Sequence, residues 1–257
     1  LISETGYETG DRTGVGTKAI FGHQIKFNLN DGFPLVTTKD VYWKGVVHEL
    51  LWFIKGSTNI KYLVDNDVNI WNDWPYKKYQ SSKVNPISQK EFVAKIKNDS
   101  EFAQHWGELG PVYGKQWRYW FDDVNDCQID QLQIAIDTIK NNPTSRRIIV
   151  NAWKVDEVDR MALPPCHMFF QFNVRSGKLL DCQMYIRSWD TFLGGPFNIA
   201  SYALLLKMIA QVTDTIPNEL IISSGNTHIY SNHYEQVNTQ LSRTPYELPT
   251  VELNPNI

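Results

Sequence analysis

Residues 163–187 read LPPCHMFFQFNVRSGKLLDCQMYIR, and this stretch decides the fold. The aromatic run Cys166–Arg175 has strand character, Ser176-Gly177-Lys178 supplies a tight turn, and Leu179–Arg187 returns as a second strand, which together make a hairpin. Downstream, Pro196 precedes a strongly apolar helix over Phe197–Thr213. A strand at Leu220–Ser224, a helix at Asn232–Ser242 and a final strand at Tyr246–Leu253 follow. Upstream, Arg147–Trp153 is β-branched and reads as a strand. Gln128–Lys140 places Ile129, Leu132, Ile136 and Ile139 on one helical stripe and stops at Asn142-Pro143. Val41–Ile54 carries Val46, Val47, Leu50, Leu51 and Ile54 at helical spacing before Gly56, and Thr17–Leu29 alternates like a strand. Strands and helices mix without regular β-α alternation, so the predicted class is α+β, with a large mixed sheet packed by helices. The chain reads as one domain, 1–257, with a polar, lysine-rich insertion at about 75–106 whose single predicted helix lies within Phe92–Phe102.

Composition narrows the function. A chain of 257 residues with 42% hydrophobic content buries a sizeable core. Net charge is −3, and a protein that holds nucleic acid by electrostatics is normally basic, so DNA is disfavoured as the main partner. Clustered arginines still bind a small anion whatever the global charge. Three cysteines without a Cys-x-x-Cys pair give neither a disulfide framework nor a metal site, and point to a reducing compartment, the cytoplasm. The longest apolar candidate, Ile199–Val212, is interrupted by Ser201, Lys207 and Gln211, so no membrane span is expected. The chain opens on Leu1 rather than Met and stops abruptly at Ile257, so whether either end is native or truncated is left open.

Six groups of residues are candidates to carry chemistry. Cys166 follows two prolines that fix its backbone. A lone cysteine is more often a small buried hydrophobe, but this one is a candidate nucleophile. Cys127, beside Asp122, Asp123 and Asp126, and Cys182, inside a strand, read as structural. Arg146-Arg147, Arg187-Ser188 and Arg12 suit a forked anion site, although each alone also fits a solvated surface. Asn198 follows Gly194 and Gly195. It is either a helix cap or a carboxamide whose donor and acceptor match the N3–H and O4 edge of uracil. Glu49 sits on an otherwise apolar helix face, where a carboxyl is paired or has a raised pKa. Trp71 and Trp74 fit a stacking wall or ordinary core, and His228 and Tyr230 alternate along an extended segment.

In this order the segments DRTGVGT (from Asp11), FPLVTTK (Phe33), HELLWFIKGSTNI (His48), GPVYGKQWR (Gly110), SRRIIV (Ser145), ALPPCHMFFQF (Ala162), FLGGPFNIASYALL (Phe192) and NTHIYSNH (Asn226) resemble the thymidylate synthase family across nearly the whole chain. The resemblance implies that fold, with a sheet face forming a homodimer interface. It implies that Cys166 adds to C6 of deoxyuridine monophosphate (dUMP) and that C5 then attacks 5,10-methylenetetrahydrofolate, the co-substrate, with no metal. Glu49, Tyr113, His167, Asn198 and Asp190 would join Cys166 in catalysis. Arg12, Arg187, Ser188, Asn198, His228 and Tyr230 would hold dUMP, with Arg146 and Arg147 completing the partner's phosphate site. Trp71, Trp74, Leu163, Asp190, Leu193, Gly194 and Lys39 would meet the folate. The arginines would also favour thiolate at Cys166.

The chain departs from the family pattern at Ile186 (usually Gln), Trp189 (usually small) and Gly195 (usually branched aliphatic). Members also continue past the position matching Ile257 in a tail over the site. The family includes deoxyuridylate hydroxymethylases, in which water rather than hydride completes the reaction. Trp189, Gly195 and the missing tail leave that alternative open. A deoxycytidylate enzyme would ask for Asp in place of Asn198, and a silent binding homologue would lack Cys166 or Glu49.

Overall fold

Alternating apolar strands with one apolar helix are what this sequence must bury, and the computed structural model, which describes residues 1–10 and 14–255, does so with a six-stranded mixed sheet. The strands are β1 (Tyr7–Thr9), β2 (Thr17–Asn28), β3 (Trp120–Asp122), β4 (Cys127–Ile129), β5 (Ile149–Asn151), β6 (His167–Arg175), β7 (Leu179–Asp190) and β8 (Ile216–Tyr230). The helices are α1 (Ile2–Thr5), α2 (Trp43–Ile54), α3 (Lys61–Asp65), α4 (Asp73–Ser81), α5 (Gln89–Asn98), α6 (Ser100–Trp106), α7 (Tyr113–Tyr119), α8 (Gln131–Asn141), α9 (Gly194–Val212) and α10 (Tyr234–Leu241). Sheet order is β1-β2-β8-β7-β6-β5, with β3-β4 a separate hairpin. The α+β class with a large mixed sheet is as the sequence predicts.

The chain divides into two compact units. One comprises Leu1–Tyr42, Ile134–Val150 and Cys166–Ile257, the other Trp43–Gln133 and Asn151–Pro165. In the first, β7 pairs antiparallel with β6 and parallel with β8, and β2 lies antiparallel to β8. Phe170, Phe172, Cys182, Met184, Ile186, Leu220 and Ile222 turn inward beneath α9, which packs on β7 and β8. Helix α9 is apolar nearly all round because almost all of it is buried. On the opposite face Phe169 stacks on Tyr185 at 5.7 Å, and Gln24 and Gln183 both donate to Ser223, leaving a flat, accessible surface. The second unit is helical. Its centre is an aromatic cluster in which Phe53 lies 4.8 Å from Tyr113 and 5.4 Å from Trp117, while Trp71 lies 5.9 Å from Trp52.

Three local expectations change. The lysine-rich segment forms helices α4, α5 and α6 around Tyr76, Tyr79, Phe92, Phe102 and Trp106, an amphipathic pattern that aromatic rather than aliphatic residues carry. A capping box between Ser88 and Glu91 starts α5. β8 runs from Ile216 to Tyr230, far longer than Leu220–Ser224, because polar residues along it are paired on both sides by β2 and β7. Tyr246–Leu253 is not a strand: Pro245 and Pro249 each lack the N–H a ladder needs, the Tyr246 backbone bonds to the Thr37 hydroxyl, and within that span only the Pro249 carbonyl, accepting from Phe33, makes a backbone-to-backbone bond among the described residues.

At the hairpin end, buried Asp181 accepts from Arg175 at 2.6 Å and 2.9 Å, from Asn218 at 2.6 Å and from the Glu219 N–H at 3.2 Å. Burial pushes its pKa up, but these donors outweigh burial and hold it below the ordinary carboxylate value. A depressed carboxylate stabilises the fold above its unfolded pKa, and the contribution is lost as pH falls through the folded value. Asp181→Ala is therefore expected to cost about 2 kcal/mol in urea titration at neutral pH. The gap between variant and parent should shrink below about pH 4; a constant gap across that range contradicts the assignment.

Candidate active site

The first unit gathers most of the polar candidates at one end of β7 and β8. Cys166 immediately precedes β6, and its carbonyl accepts from the Arg187 N–H at 2.8 Å, which ties the thiol's backbone to the end of the adjacent strand. Burial raises the Cys166 pKa, and the Arg187 guanidinium opposes that without overcoming it. Against Arg187 alone, burial wins and the thiol is favoured within the single chain. Burial outweighs one nearby cation. None of the three cysteines is in a disulfide, and Cys182, fully buried, has its pKa pushed far up by burial and by Asp181.

His167 is buried and shares a 2.8 Å hydrogen bond between its Nδ1 and the Tyr202 hydroxyl. Burial lowers its pKa to about 3, so it is a neutral imidazole through the physiological range. Parallel register sets Ser188 beside Asn226 and Asp190 beside His228. Asn226 Oδ1 lies 2.7 Å from His228 Nδ1, and the His228 and Tyr230 rings meet edge to face at 5.2 Å. Gly225 opposes Arg187: a Cβ there would lie 2.8 Å from the Arg187 carbonyl oxygen, so glycine permits this approach. Asp190 accepts from the N–H groups of Phe192 and Leu193 at 3.0 Å and 3.1 Å, an Asx turn that starts α9. Asn198 is half-buried near the start of α9, its Oδ1 3.6 Å from where a Gly194 Cβ would stand.

Lys39 donates to the Phe192 carbonyl at 2.7 Å and sits 4.0 Å over the Phe192 ring. Burial lowers its pKa, with the Asp190 charge opposing. It therefore braces the turn in addition to any contact with a ligand's tail. Arg146 and Arg147 are exposed and form no ion pair among the described residues, whereas Arg12 lies outside those residues.

The second unit holds the other candidates. Trp71 Nε1 donates to Glu49 Oε1 at 2.7 Å. Burial raises the Glu49 pKa to about 7, with the Trp71 bond pulling the other way. Trp71 also meets Tyr113 edge to face at 6.1 Å, so the cluster that forms the unit's core orients Glu49's partner. Trp74 is half-buried, with the Lys77 ammonium 5.5 Å from its ring, and Leu163 is half-buried. Among the described residues no group of acidic, histidine or cysteine side chains is arranged to hold a metal.

Sequence reasoning missed Tyr202, Asn226 and Gly225. Tyr202 lies one helical turn beyond Asn198, and Asn226 continues the alternation of His228 and Tyr230, so spacing alone contained both. In the first unit a partly buried thiol, a neutral imidazole and a carboxamide suit covalent addition to a heterocycle, and in the second unit a carboxyl with a pKa near neutrality suits proton transfer.

The family model described as thymidylate synthase matches residues 1–257. The chain is 58% identical to the thymidylate synthase of Mycoplasma mobile, over 100% of this chain and 87% of the relative. It is 56% identical to that of Aster yellows witches'-broom phytoplasma over the same shares. Against that of Mycoplasma pneumoniae it is 53% identical, over 98% of this chain and 86% of the relative.

Because burial outweighs Arg187, alkylation of Cys166 by iodoacetamide is expected to rise with pH around a midpoint above that of an ordinary exposed thiol. Arg187→Met should move the midpoint further up. A midpoint below the ordinary value, or one that ignores the substitution, contradicts this electrostatic balance.

Proposed function

The chain belongs to the thymidylate synthase family, and from that premise we infer that it reductively methylates dUMP to dTMP with 5,10-methylenetetrahydrofolate as co-substrate. The observation that carries the reading to chemistry is the Cys166–Arg187 juncture, where a partly buried thiol and a guanidinium-bearing residue are joined by one backbone hydrogen bond. Arg187 and Ser188 take the phosphate, with Arg12, and Arg146 and Arg147 complete the site of a second copy. A dianionic phosphate against several guanidiniums orients the nucleotide. Cys166 sulfur bonds to C6 of the uracil, the thiol proton leaves to solvent or a neighbouring base, and C5 becomes nucleophilic.

Asn198 reads the N3–H and O4 edge, and His228 with Tyr230 holds the sugar hydroxyl. Glu49, with a pKa of about 7, exchanges protons at the base with Tyr113 and neutral His167 around it. The folate, when bound, supplies the methylene carbon and the hydride that makes it a methyl group. The assigned folate contacts are Trp74, whose indole is half-buried, Trp71, which is buried and holds Glu49, and Gly194 with exposed Leu193 and half-buried Asp190, where glycine allows a close backbone approach. Leu163 and Lys39 complete the assigned contacts.

Relatives at 52–58% identity named thymidylate synthase do not favour the hydroxymethylase alternative. Its motivation also weakens, since Trp189 is buried against Gly195. The open sheet face with Phe169, Tyr185, Gln183 and Ser223 suits a second copy of the chain, in keeping with a homodimer. Unpaired thiols agree with the cytoplasm, and no helix among the described residues is long and apolar enough to cross a membrane.

Mixing the protein with dUMP and methylenetetrahydrofolate should raise absorbance as dihydrofolate forms, in step with dTMP by mass spectrometry. A hydroxymethyl nucleotide without dihydrofolate overturns the reading. Glu49→Gln should lower kcat by about a hundredfold or more. Trp71→Phe removes a donor that favours the carboxylate, so the kcat/KM limb near pH 7 should move upward; an unmoved limb separates it from Glu49. Asn198→Asp should shift the dUMP to dCMP ratio of kcat/KM toward dCMP, and an unchanged ratio removes the base-reading role.

A further inference from the structure

Trp189 is 5% exposed, and its indole Nε1 is buried without a hydrogen-bond partner among the described residues. The indole lies against the side of Gly195 that has no Cβ. A Cβ there would stand 3.6 Å from Nε1, 3.7 Å from Cε2 and 3.6 Å from the Asp190 carbonyl oxygen. Taken separately, both residues are locally unfavourable. A buried donor without an acceptor costs stability, and so does glycine inside a helix. Together they form a large-against-small contact between the end of β7 and the first turn of α9. Such agreement between two locally poor choices marks a functional constraint rather than chance.

The contact sits where little else is free to vary. The turn between β7 and α9 is pinned by Asp190 accepting from Phe192 and Leu193, by Lys39 on the Phe192 carbonyl, and by the Thr191 N–H on the His228 carbonyl. What remains at this end is how closely the first turn of α9 approaches β7, and there Trp189 lies against Gly195. Helix α9 is a rigid lever: Asn198 lies one turn beyond Gly195, and Tyr202, bonded to His167, one turn further. Strand β7 carries Arg187 and Ser188 just before Trp189. We propose that the Trp189–Gly195 pair sets the distance between the phosphate-holding end and the base-reading end of the nucleotide slot, which makes Trp189 and Gly195 positioning residues for Asn198. This rests on the assignment of dUMP to the site.

A double-mutant cycle tests it, with kcat and KM for dUMP and for dCMP measured on Trp189→Ala, Gly195→Val and the pair, alongside melting temperatures. Trp189→Ala leaves a gap and Gly195→Val forces the contact apart, so each should lower kcat/KM for dUMP at least about tenfold, since a small misplacement of reacting groups is costly. Their dUMP to dCMP ratios should fall as Asn198 loses its register. The pair, in which valine enters the space the indole leaves, should be at least about tenfold more active than the product of the single effects. Effects that simply multiply, or losses that follow melting temperature while kcat/KM of the folded enzyme and the substrate ratio stay fixed, overturn the proposal. If Gly195→Val alone does not fold, the pair is compared with Trp189→Ala: added valine should leave kcat/KM for dUMP equal to or above that of Trp189→Ala, and a further fall of about tenfold overturns the proposal. A parent enzyme inactive on dUMP defeats the assignment of the site; an active parent with uncoupled variants defeats only this inference.

Discussion

Strand β7 is held along both edges, antiparallel to β6 and parallel to β8, and its end has no freedom to wander. On one side the Arg187 N–H binds the Cys166 carbonyl, on the other Gly225 lets the Arg187 carbonyl approach β8. Nucleophile and guanidinium-bearing residue are thereby located by main chain. Side-chain contacts then add direction: Asn226 on His228, Tyr202 on His167, and Asp190 on the turn that starts α9. Moving any one of these requires moving the sheet.

The electrostatics follow from burial. Cys166 is held toward the thiol, His167 toward the neutral imidazole at a pKa of about 3, and Glu49 toward the acid at a pKa of about 7. Low dielectric disfavours every charge not yet paired. Such groups wait for charge rather than carry it. An arriving dianion that engages Arg187 offsets the guanidinium's pull on Cys166, so it is the uracil ring, accepting electrons as the sulfur adds, that relieves the cost of charge there. Activation of the thiol is therefore assigned to the bound nucleotide rather than to the resting site.

Much of this was legible in the sequence, and the rest was not for physical reasons. The hairpin around Ser176-Gly177 and the apolar helix after Pro196 announce themselves because their periodicity is carried by aliphatic and aromatic residues facing one core. Helices α4 and α6 hide because Tyr79, Phe102 and Trp106 pack among themselves in a lysine-rich, polar segment. β8 hides its length because its polar residues are buried by neighbours that are distant in sequence. At the site, Cys166, Asn198 and Glu49 stand out as unusual residues in apolar settings. The balance between burial and Arg187 at Cys166 depends on packing that no spacing reveals. Trp189 and Gly195 looked like independent departures and proved to touch.

Every later step depends on Cys166 adding to C6 and so making C5 reactive. Following the hydrogen at C5 tests it most directly, with dUMP labelled by tritium at that carbon and the protein supplied with methylenetetrahydrofolate. Tritium should pass to water in step with dTMP, and none should be released by Cys166→Ala. Release that persists at the parental rate in that variant would contradict that addition.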